Sequence, residues 1–134
     1  MVVWAATLES NGHVRVCMAA VRDAVIVAGG VGARMLPATA AVAKEMLPLV
    51  DIPAITHLAR EAVAAGAERL HIITSPSKNF DQILGDNTWL SQTRPDIKSE
   101  LISPFGDVEV LIHIQHTPRG FGDALSCALS SISG

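Results

Sequence analysis

A glycine-rich break after an apolar run limits the folds open to this chain more than any other stretch. Residues 24–28, AVIVA, are continuously apolar and rich in β-branched side chains. That composition predicts a strand buried on both faces, as in a parallel sheet. Gly29, Gly30 and Gly32 end the strand. Because glycine permits positive φ and lets a ligand approach the backbone closely, this loop is the first candidate site.

Two separated cations, Arg34 and Lys44, follow the loop. Successive backbone N–H groups in a glycine-rich turn form an anion-binding concavity, and arginine adds a permanent, bidentate charge. This layout suits a polyphosphate. The alternatives are a tight turn without a ligand and a solvated loop lysine. The loop is not the dinucleotide fingerprint, because Met35 stands where its last glycine would fall, and no Gly-Lys-Ser/Thr follows to make a Walker loop.

The rest of the chain alternates between strand and helix patterns. Asp51 can cap a helix over residues 53–65, with five apolar residues predicted to face inward: Ile55, Leu58, Ala59, Ala62 and Val63. The later predicted elements are a strand at 70–74, a helix from Ser77 to about Leu84, one or two short helices within 86–103, a strand at 108–115 and a helix at 121–132. This alternation predicts an α/β fold with a doubly wound, mostly parallel sheet.

Two loops of this predicted sheet come directly after a strand, at residues 29–34 and 118–122. Ligands of doubly wound sheets bind beyond the carboxyl ends of the strands. We therefore expect both loops to lie at one edge of the sheet and to face one pocket.

Polar residues near the second loop have alternative interpretations. Gln115 ends a strand, and its amide can read the edge of a base, although for this residue taken alone a solvated polar side chain at a strand end is the favoured interpretation. Asp123 can favour the N-terminus of the last helix or touch a ligand. The five histidines lack metal-ligand spacing, and His71 and His113 fall inside strands, where we expect them to be packed or hydrogen-bonded.

Composition narrows the class of protein. The chain has 134 residues, enough for one domain, and a net charge of −3 without a long run of one sign, which argues against nucleic-acid binding. No apolar run reaches the ~18 residues of a membrane span. Two isolated cysteines favour a reduced, cytoplasmic protein. We expect residues 1–22 to be a poorly ordered extension, with residues 1–17 either extension or sequence upstream of a misplaced start, and residues 23–134 to be the domain.

Five strings in one collinear register carry a family resemblance: AGGVGARMLPAT, KEMLPLVDIP, EAVAAGAERLHIIT, SPFGDVEV and QHTPRGFGDAL. Over residues 23–132 they resemble the sugar-1-phosphate nucleotidyltransferases, most closely the uridylyl branch. The resemblance implies a Rossmann-like nucleotidyltransferase fold. It also implies a reaction in which glucose 1-phosphate attacks the α-phosphate of UTP, giving UDP-glucose and pyrophosphate. Gln115 would not separate UTP from dTTP, since both pyrimidines present the same ring edge.

The resemblance also implies roles for particular residues. Arg34 would bind the leaving phosphates and Lys44 the α-phosphate, as the catalytic pair. The nucleotide-binding residues would be Ala28, Gly29, Gly30, Gly32, Glu45, Gln115 and Gly120. Among them the glycine backbone would hold nucleoside and phosphate, Glu45 would help to place the nucleoside, and Gln115 with Gly120 would read uracil.

This sequence departs from the family pattern at several positions. Ala33 stands for a threonine, Ala40 and Ala43 remove a cation and a proline, and Asp123 stands for a histidine often seen in the uridylyl branch. Mg²⁺ is expected for the family, but the family aspartate that holds it would fall beyond Gly134. The expected fold is accordingly cut after its third main strand and the helix that follows.

These departures leave three functional hypotheses open. In the first hypothesis the chain is an enzyme of this type. In the second it is a binding module, either a catalytically inactive nucleotide-binding fragment or one half of a split enzyme. In the third it is a remnant of a gene. Because a cut sheet leaves an open edge, we expect self-association or pairing with a chain that carries the missing half.

Overall fold

A three-stranded parallel sheet forms the centre of the chain. The computed structural model describes residues 7–8, 14–15, 22–80, 87–103 and 105–132. Its strands are β1 (Thr7–Leu8), β2 (Val14–Arg15), β3 (Asp23–Val27), β4 (Pro48–Leu49), β5 (Ile52–Pro53), β6 (Arg69–Thr74) and β7 (Glu109–Ile114). Its helices are α1 (Ala38–Ala41), α2 (Ala54–Ala64), α3 (Thr88–Thr93), α4 (Ser99–Ile102) and α5 (Phe121–Ser126).

The central sheet has the strand order β3-β6-β7, and both pairs are parallel. Val27 lies opposite Ile73, and Thr74 lies opposite Ile114, so the three carboxyl ends meet at one edge. The three long predicted strands are confirmed to within one residue at each end. The predicted parallel α/β fold is confirmed as well. Two short hairpins, β1-β2 and β4-β5, lie outside this sheet.

Helix α2 covers one face of the sheet. Its Ile55 and Ala59 are fully buried against a core that also contains Leu70, Ile72 and Phe80. Burying one such side chain stabilises the fold by about 1.5–3 kcal/mol, so this face supplies most of the apolar driving force.

The opposite face has a smaller apolar cluster under α5. Ile73, Ala124 and Ala128 are buried there, with Val25 and Val27 packed beside them. The same face carries polar side chains near the amino ends of β3 and β6. The two faces of the sheet therefore differ: the core under α2 is mainly apolar, whereas the opposite face is divided between apolar and polar contacts.

The polar side chains form one network across all three strands. Arg69 donates to Asp23 Oδ2 at 2.7 Å, and His71 Nε2 lies 2.8 Å from Asp23 Oδ1. His71 Nδ1 lies 3.0 Å from His113 Nε2, and the two rings are stacked. The expectation that both histidines are packed and hydrogen-bonded within strands is confirmed.

Several predicted details of the helices are wrong. Asp51 does not cap α2: it lies in a turn, Ile52 and Pro53 form β5, and the helix begins at Ala54. The buried stripe of α2 includes Thr56, whereas Leu58 and Val63 are exposed, because the sheet covers the helix from one direction only. The last helix ends at Ser126 and continues as turns, six residues shorter than predicted.

The short helices of the middle segment agree with prediction. α3 and α4 are two short helices within the predicted range 86–103, one on each side of Pro95, and Ile102 is buried. The predicted helix start at Ser77 is wrong, because residues 76–77 form a turn and residues 78–80 are not helical. The rest of that predicted helix lies outside the described residues, as does most of the predicted N-terminal extension. Among the described helices, none is long and apolar enough to cross a membrane.

Val50, at the tip of the β4-β5 hairpin, is held in a left-handed conformation with φ 65° and is 100% exposed. A β-branched residue in this conformation costs about 1–2 kcal/mol, and asparagine tolerates it better. Val50→Asn should therefore raise the free energy of unfolding by about 1 kcal/mol, measured by thermal denaturation. The matched control is Val31→Asn, at a 74% exposed valine without positive φ. Equal effects of the two substitutions would contradict the strain.

Candidate functional site

The glycine loop and Gln115 leave the sheet on either side of β6. Ala28 N donates to Ile73 O at 2.7 Å, and Gln115 N donates to Thr74 O at 2.8 Å. Each bond extends a parallel ladder by one residue past the end of a strand. The backbone itself therefore brings the first loop and Gln115 to the same edge, as the sequence predicts for loops that follow parallel strands.

Lys44 packs its aliphatic stem over the glycine loop. A Cβ added to Gly32 would lie 3.3 Å from Lys44 Cβ and Cδ and 3.0 Å from Thr39 Cγ2. A Cβ added to Gly30 would lie 3.7 Å from Lys44 Cε. Gly32 also has φ 71°, a conformation that favours glycine. Gly32 is therefore the glycine that this loop requires, because its φ is positive and Lys44 and Thr39 occupy the space that a side chain would need.

Thr39 fastens the same loop from the other side. Its hydroxyl donates to Gly32 O at 2.8 Å, and Met35 N donates to the same carbonyl at 2.9 Å. Thr39 was not predicted as a site residue. Its hydrogen bond fixes the turn that carries Arg34, which lies in a 3₁₀ turn, Ala33–Met35.

Gln115 contacts the loop on its first glycine. A Cβ added to Gly29 would lie 3.3 Å from Gln115 Oε1. Gln115 is buried, and its Nε2 donates to Asp123 Oδ2 at 2.6 Å and to Gly120 O at 3.4 Å. The predicted residues of the two loops are thus in direct contact through one amide.

A buried ion cluster lies beneath the loop. Lys78 Nζ donates to Ala28 O at 2.5 Å and to Glu45 Oε2 at 2.8 Å. Lys44 Nζ lies 2.7 Å from Glu45 Oε1. The Lys78 and Glu45 side chains are only 8% and 6% exposed, whereas Lys44 is 37% exposed. Lys78 therefore belongs to the fixed part of the cluster, and Lys44 is the member that reaches solvent.

Lys78 was missed by the sequence analysis, although a signal was present. It lies four residues after β6 ends, at the same carboxyl edge as the two predicted loops. Loops that follow parallel strands emerge at one edge of the sheet, and this turn follows β6 in the same way. The turn that carries Lys78 contains no glycine, and for that reason it was not predicted as a ligand-binding loop.

Arg34 is placed differently from the other predicted residues. It is exposed, and no hydrogen bond or ion pair joins it to the rest of the described chain. The structure thus brings Lys44, Glu45, Gln115 and the glycine backbone together, while Arg34 stands beside them with a free guanidinium.

A cavity of about 510 Å³ opens beside the ion cluster. It lies between α1 and the turn that follows β6. Its lining is Val31, Thr39, Ala40, Ala41, Val42, Ala43, Met46, Ser77, Lys78 and Asn79. Two of the lining residues are the small side chains Ala40 and Ala43. A cation or proline at either position would narrow this space.

The described residues do not fit a resident metal ion. Nowhere in the described ranges do three or more His, Cys, Asp or Glu side chains stand together so as to bind one. The two carboxylates at this edge are engaged, Glu45 by two lysines and Asp123 by Gln115. We therefore assign no step to a metal.

Comparison with known proteins gives a consistent result. The family model for nucleotidyl transferase matches residues 23–133. UTP–glucose-1-phosphate uridylyltransferase 2 of Streptococcus pyogenes is 37% identical over 113 residues, covering 81% of this chain and 38% of the relative. The corresponding protein of Mycoplasma pneumoniae is 38% identical over 126 residues, covering 86% of this chain and 42% of the relative.

Solved structures agree. UDP-glucose pyrophosphorylase from Acinetobacter baumannii superposes with a TM-score of 0.70 at 35% identity, covering 84% of this chain and 42% of the other. The UTP-bound enzyme of the same organism gives a TM-score of 0.68 at 35% identity, covering 83% and 41%. The chain thus spans about two fifths of the length of these relatives, and its family is shown by the match over residues 23–133: it belongs to the nucleotidyl transferases.

Proposed function

We propose that this chain is the nucleotide-binding part of a UTP–glucose-1-phosphate uridylyltransferase. The observation that carries the proposal is the meeting of two kinds of group on one loop. Lys44, a cation suited to a phosphate, packs on Gly30 and Gly32, and Gln115, an amide suited to a base edge, lies against Gly29. One nucleotide laid along residues 29–32 would reach both. The names of the relatives supply the substrate, UTP.

The proposed chemistry needs no covalent step on the protein. An oxygen of glucose 1-phosphate attacks the α-phosphate of UTP, and pyrophosphate leaves. Lys44 would neutralise charge at the α-phosphate, and the free guanidinium of Arg34 would bind the leaving phosphates through two parallel hydrogen bonds. The glycine backbone would hold the triphosphate in line by its N–H groups.

The remaining residues would hold the nucleoside. Gln115 and the Gly120 backbone would read uracil. Glu45 would act on the nucleoside indirectly, since its carboxylate lies between Lys44 and Lys78 and sets where the Lys44 ammonium stands. Mg²⁺ would arrive with the triphosphate, and the described residues supply no site of their own for it.

The second candidate function is a nucleotide-binding half that is inactive alone. One observation favours it: within the described residues, β3 pairs with β6 on one side and has no partner on the other. An unpaired strand edge is a template for another strand. We propose that this edge pairs with a second copy or with a chain that carries the remaining part of the relatives' length.

We also place the domain in the cytoplasm. The nucleotide substrate and the isolated cysteines support this location, and Cys127 forms no disulfide.

Calorimetric titration with UTP tests the proposal. The chain should bind UTP, and Lys44→Ala should weaken binding by roughly tenfold or more, because a charge-assisted hydrogen bond to phosphate is lost. Lys98→Ala, at an exposed lysine away from the loop, is the matched control and should bind as the parent does. Equal affinity of Lys44→Ala and parent would overturn the assignment.

A pyrophosphate-release assay with UTP, glucose 1-phosphate and Mg²⁺ separates the two candidates. We expect binding without turnover from the chain alone, because the described residues offer no metal carboxylates. Turnover that Lys44→Ala abolishes would instead establish an active enzyme.

A further inference from the structure

We propose that Asp123 is a positioning residue that sets which bases this site accepts. It does so by fixing the orientation of the Gln115 amide, so that an acceptor and not a donor faces the nucleotide. The inference rests on the proposed function, since it concerns the base of the bound nucleotide.

The contacts of Gln115 divide by atom. Both contacts of Nε2 are with acceptors, the Asp123 carboxylate at 2.6 Å and the Gly120 carbonyl at 3.4 Å. Oε1 lies on the side of Gly29, 3.3 Å from where a Cβ would stand. None of the described residues donates a hydrogen bond to Oε1. The oxygen therefore faces the glycine loop with a free acceptor.

The Asp123 carboxylate permits only one of the two orientations of the Gln115 amide. An ionised carboxylate can only accept, so the amide atom that faces Asp123 must be the NH₂ group. Turning the amide over would set Oε1 against Asp123 Oδ2 in a buried place, with two acceptors in contact and no proton between them. The free-energy cost of leaving a buried polar group without a hydrogen-bond partner is larger than the stability that an ordinary hydrogen bond contributes. A neutral residue at position 123 would allow both orientations.

The fixed orientation distinguishes the two common pyrimidines at ring position N3. Uracil carries a donor at N3–H, which matches the acceptor that Gln115 presents. Cytosine carries an acceptor at N3, which Oε1 would repel, and only a turned amide could donate to it. Asp123 therefore favours uracil without touching the base. The backbone of α5 supports its position, because Ser126 Oγ donates to Asp123 O at 2.6 Å.

The test is a comparison of UTP, CTP and inorganic tripolyphosphate binding by titration calorimetry. We expect the parent chain to prefer UTP to CTP. Asp123→Asn should reduce that preference by about tenfold, the worth of one hydrogen bond, while tripolyphosphate affinity stays unchanged. Asp123→Glu keeps a carboxylate at this position and should retain part of the parent's preference for UTP. Asp107→Asn, at an exposed aspartate before β7, is the matched control and should keep the parent's ratio.

Tripolyphosphate binding also shows that a variant is folded, and Asp123→Ala serves as the second neutral variant. An unchanged UTP-to-CTP ratio in both neutral variants would overturn the inference while leaving UTP binding intact. A parent that binds UTP and CTP equally would overturn it too. A parent that binds no nucleotide and no tripolyphosphate would overturn the proposed function, and the inference with it.

Discussion

Lys78→Met is expected to lower the free energy of unfolding by about 3 kcal/mol, because removing one partner of a buried ion pair leaves an uncompensated charge. Glu45 and Lys78 are almost completely buried, so water cannot replace the lost ammonium. Because Lys44 still contacts Glu45 in this variant, we expect the loss of unfolding free energy to lie near the lower end of the range for broken buried ion pairs. Ala28 O loses its donor in the same variant. Urea unfolding at pH 7 measures the change.

The Lys78 prediction has a control and a rescue. Lys98→Met removes an exposed lysine from the N-cap of α4 and should change stability by less than about 0.5 kcal/mol. Adding Glu45→Leu to Lys78→Met removes both buried charges, and should recover at least half of the loss. If the double variant were as unstable as the sum of the two single ones, the ion pair would not explain the effect of Lys78.

Lys78 also shows where sequence reasoning ends. The three strands and the meeting of loops at one edge follow from apolar runs and glycines, because strand polarity dictates where loops emerge. The burial of Lys78 depends on Glu45, which is 33 residues away in the chain. No local pattern carries that pairing. A lysine in a turn is usually solvated, and only the tertiary structure makes this one part of the core.

Asp51 illustrates the opposite error. A polar residue followed by proline and an apolar periodicity is a common helix start, and that pattern predicted a cap. Here β4 and β5 form a tight hairpin whose turn contains Val50 and Asp51, and the hairpin takes the residues on which the cap depended. Pairing between neighbouring short strands overrode local helix propensity. The orientation of the Gln115 amide was equally beyond local reasoning, since it depends on which side of the amide Asp123 occupies.

Asp23→Ala is expected to lower the free energy of unfolding by about 2–3 kcal/mol. The loss of the His71 hydrogen bond is enough to account for this, because it leaves a ring nitrogen of a fully buried side chain without its acceptor. Asp23 accepts from both Arg69 and His71. Its carboxylate accepts from His71 Nε2, and His71 Nδ1 in turn lies 3.0 Å from His113 Nε2, so the contacts run from β3 through β6 to β7. Losing Asp23 therefore disturbs all three strands. The loss is measured by urea unfolding at pH 7 against Asp107→Ala, an exposed aspartate expected to change stability little.

The same network makes the dependence of stability on pH a second readout. Burial alone would raise the pKa of Asp23, but hydrogen bonds from Arg69 and His71 outweigh it and hold that pKa below 3.8. Burial, and then the charge of His71, lower the pKa of His113 below 6.5. Below 6.5 the unfolded chain therefore binds a proton that the folded chain refuses, so stability falls as pH drops through that window. The Asp23 contribution is present above 3.8 and is lost at still lower pH. Asp23→Ala should abolish the loss of unfolding free energy that the parent shows below pH 3.8. If this variant lost stability in acid as the parent does, the Asp23 carboxylate would not be what holds the three strands together.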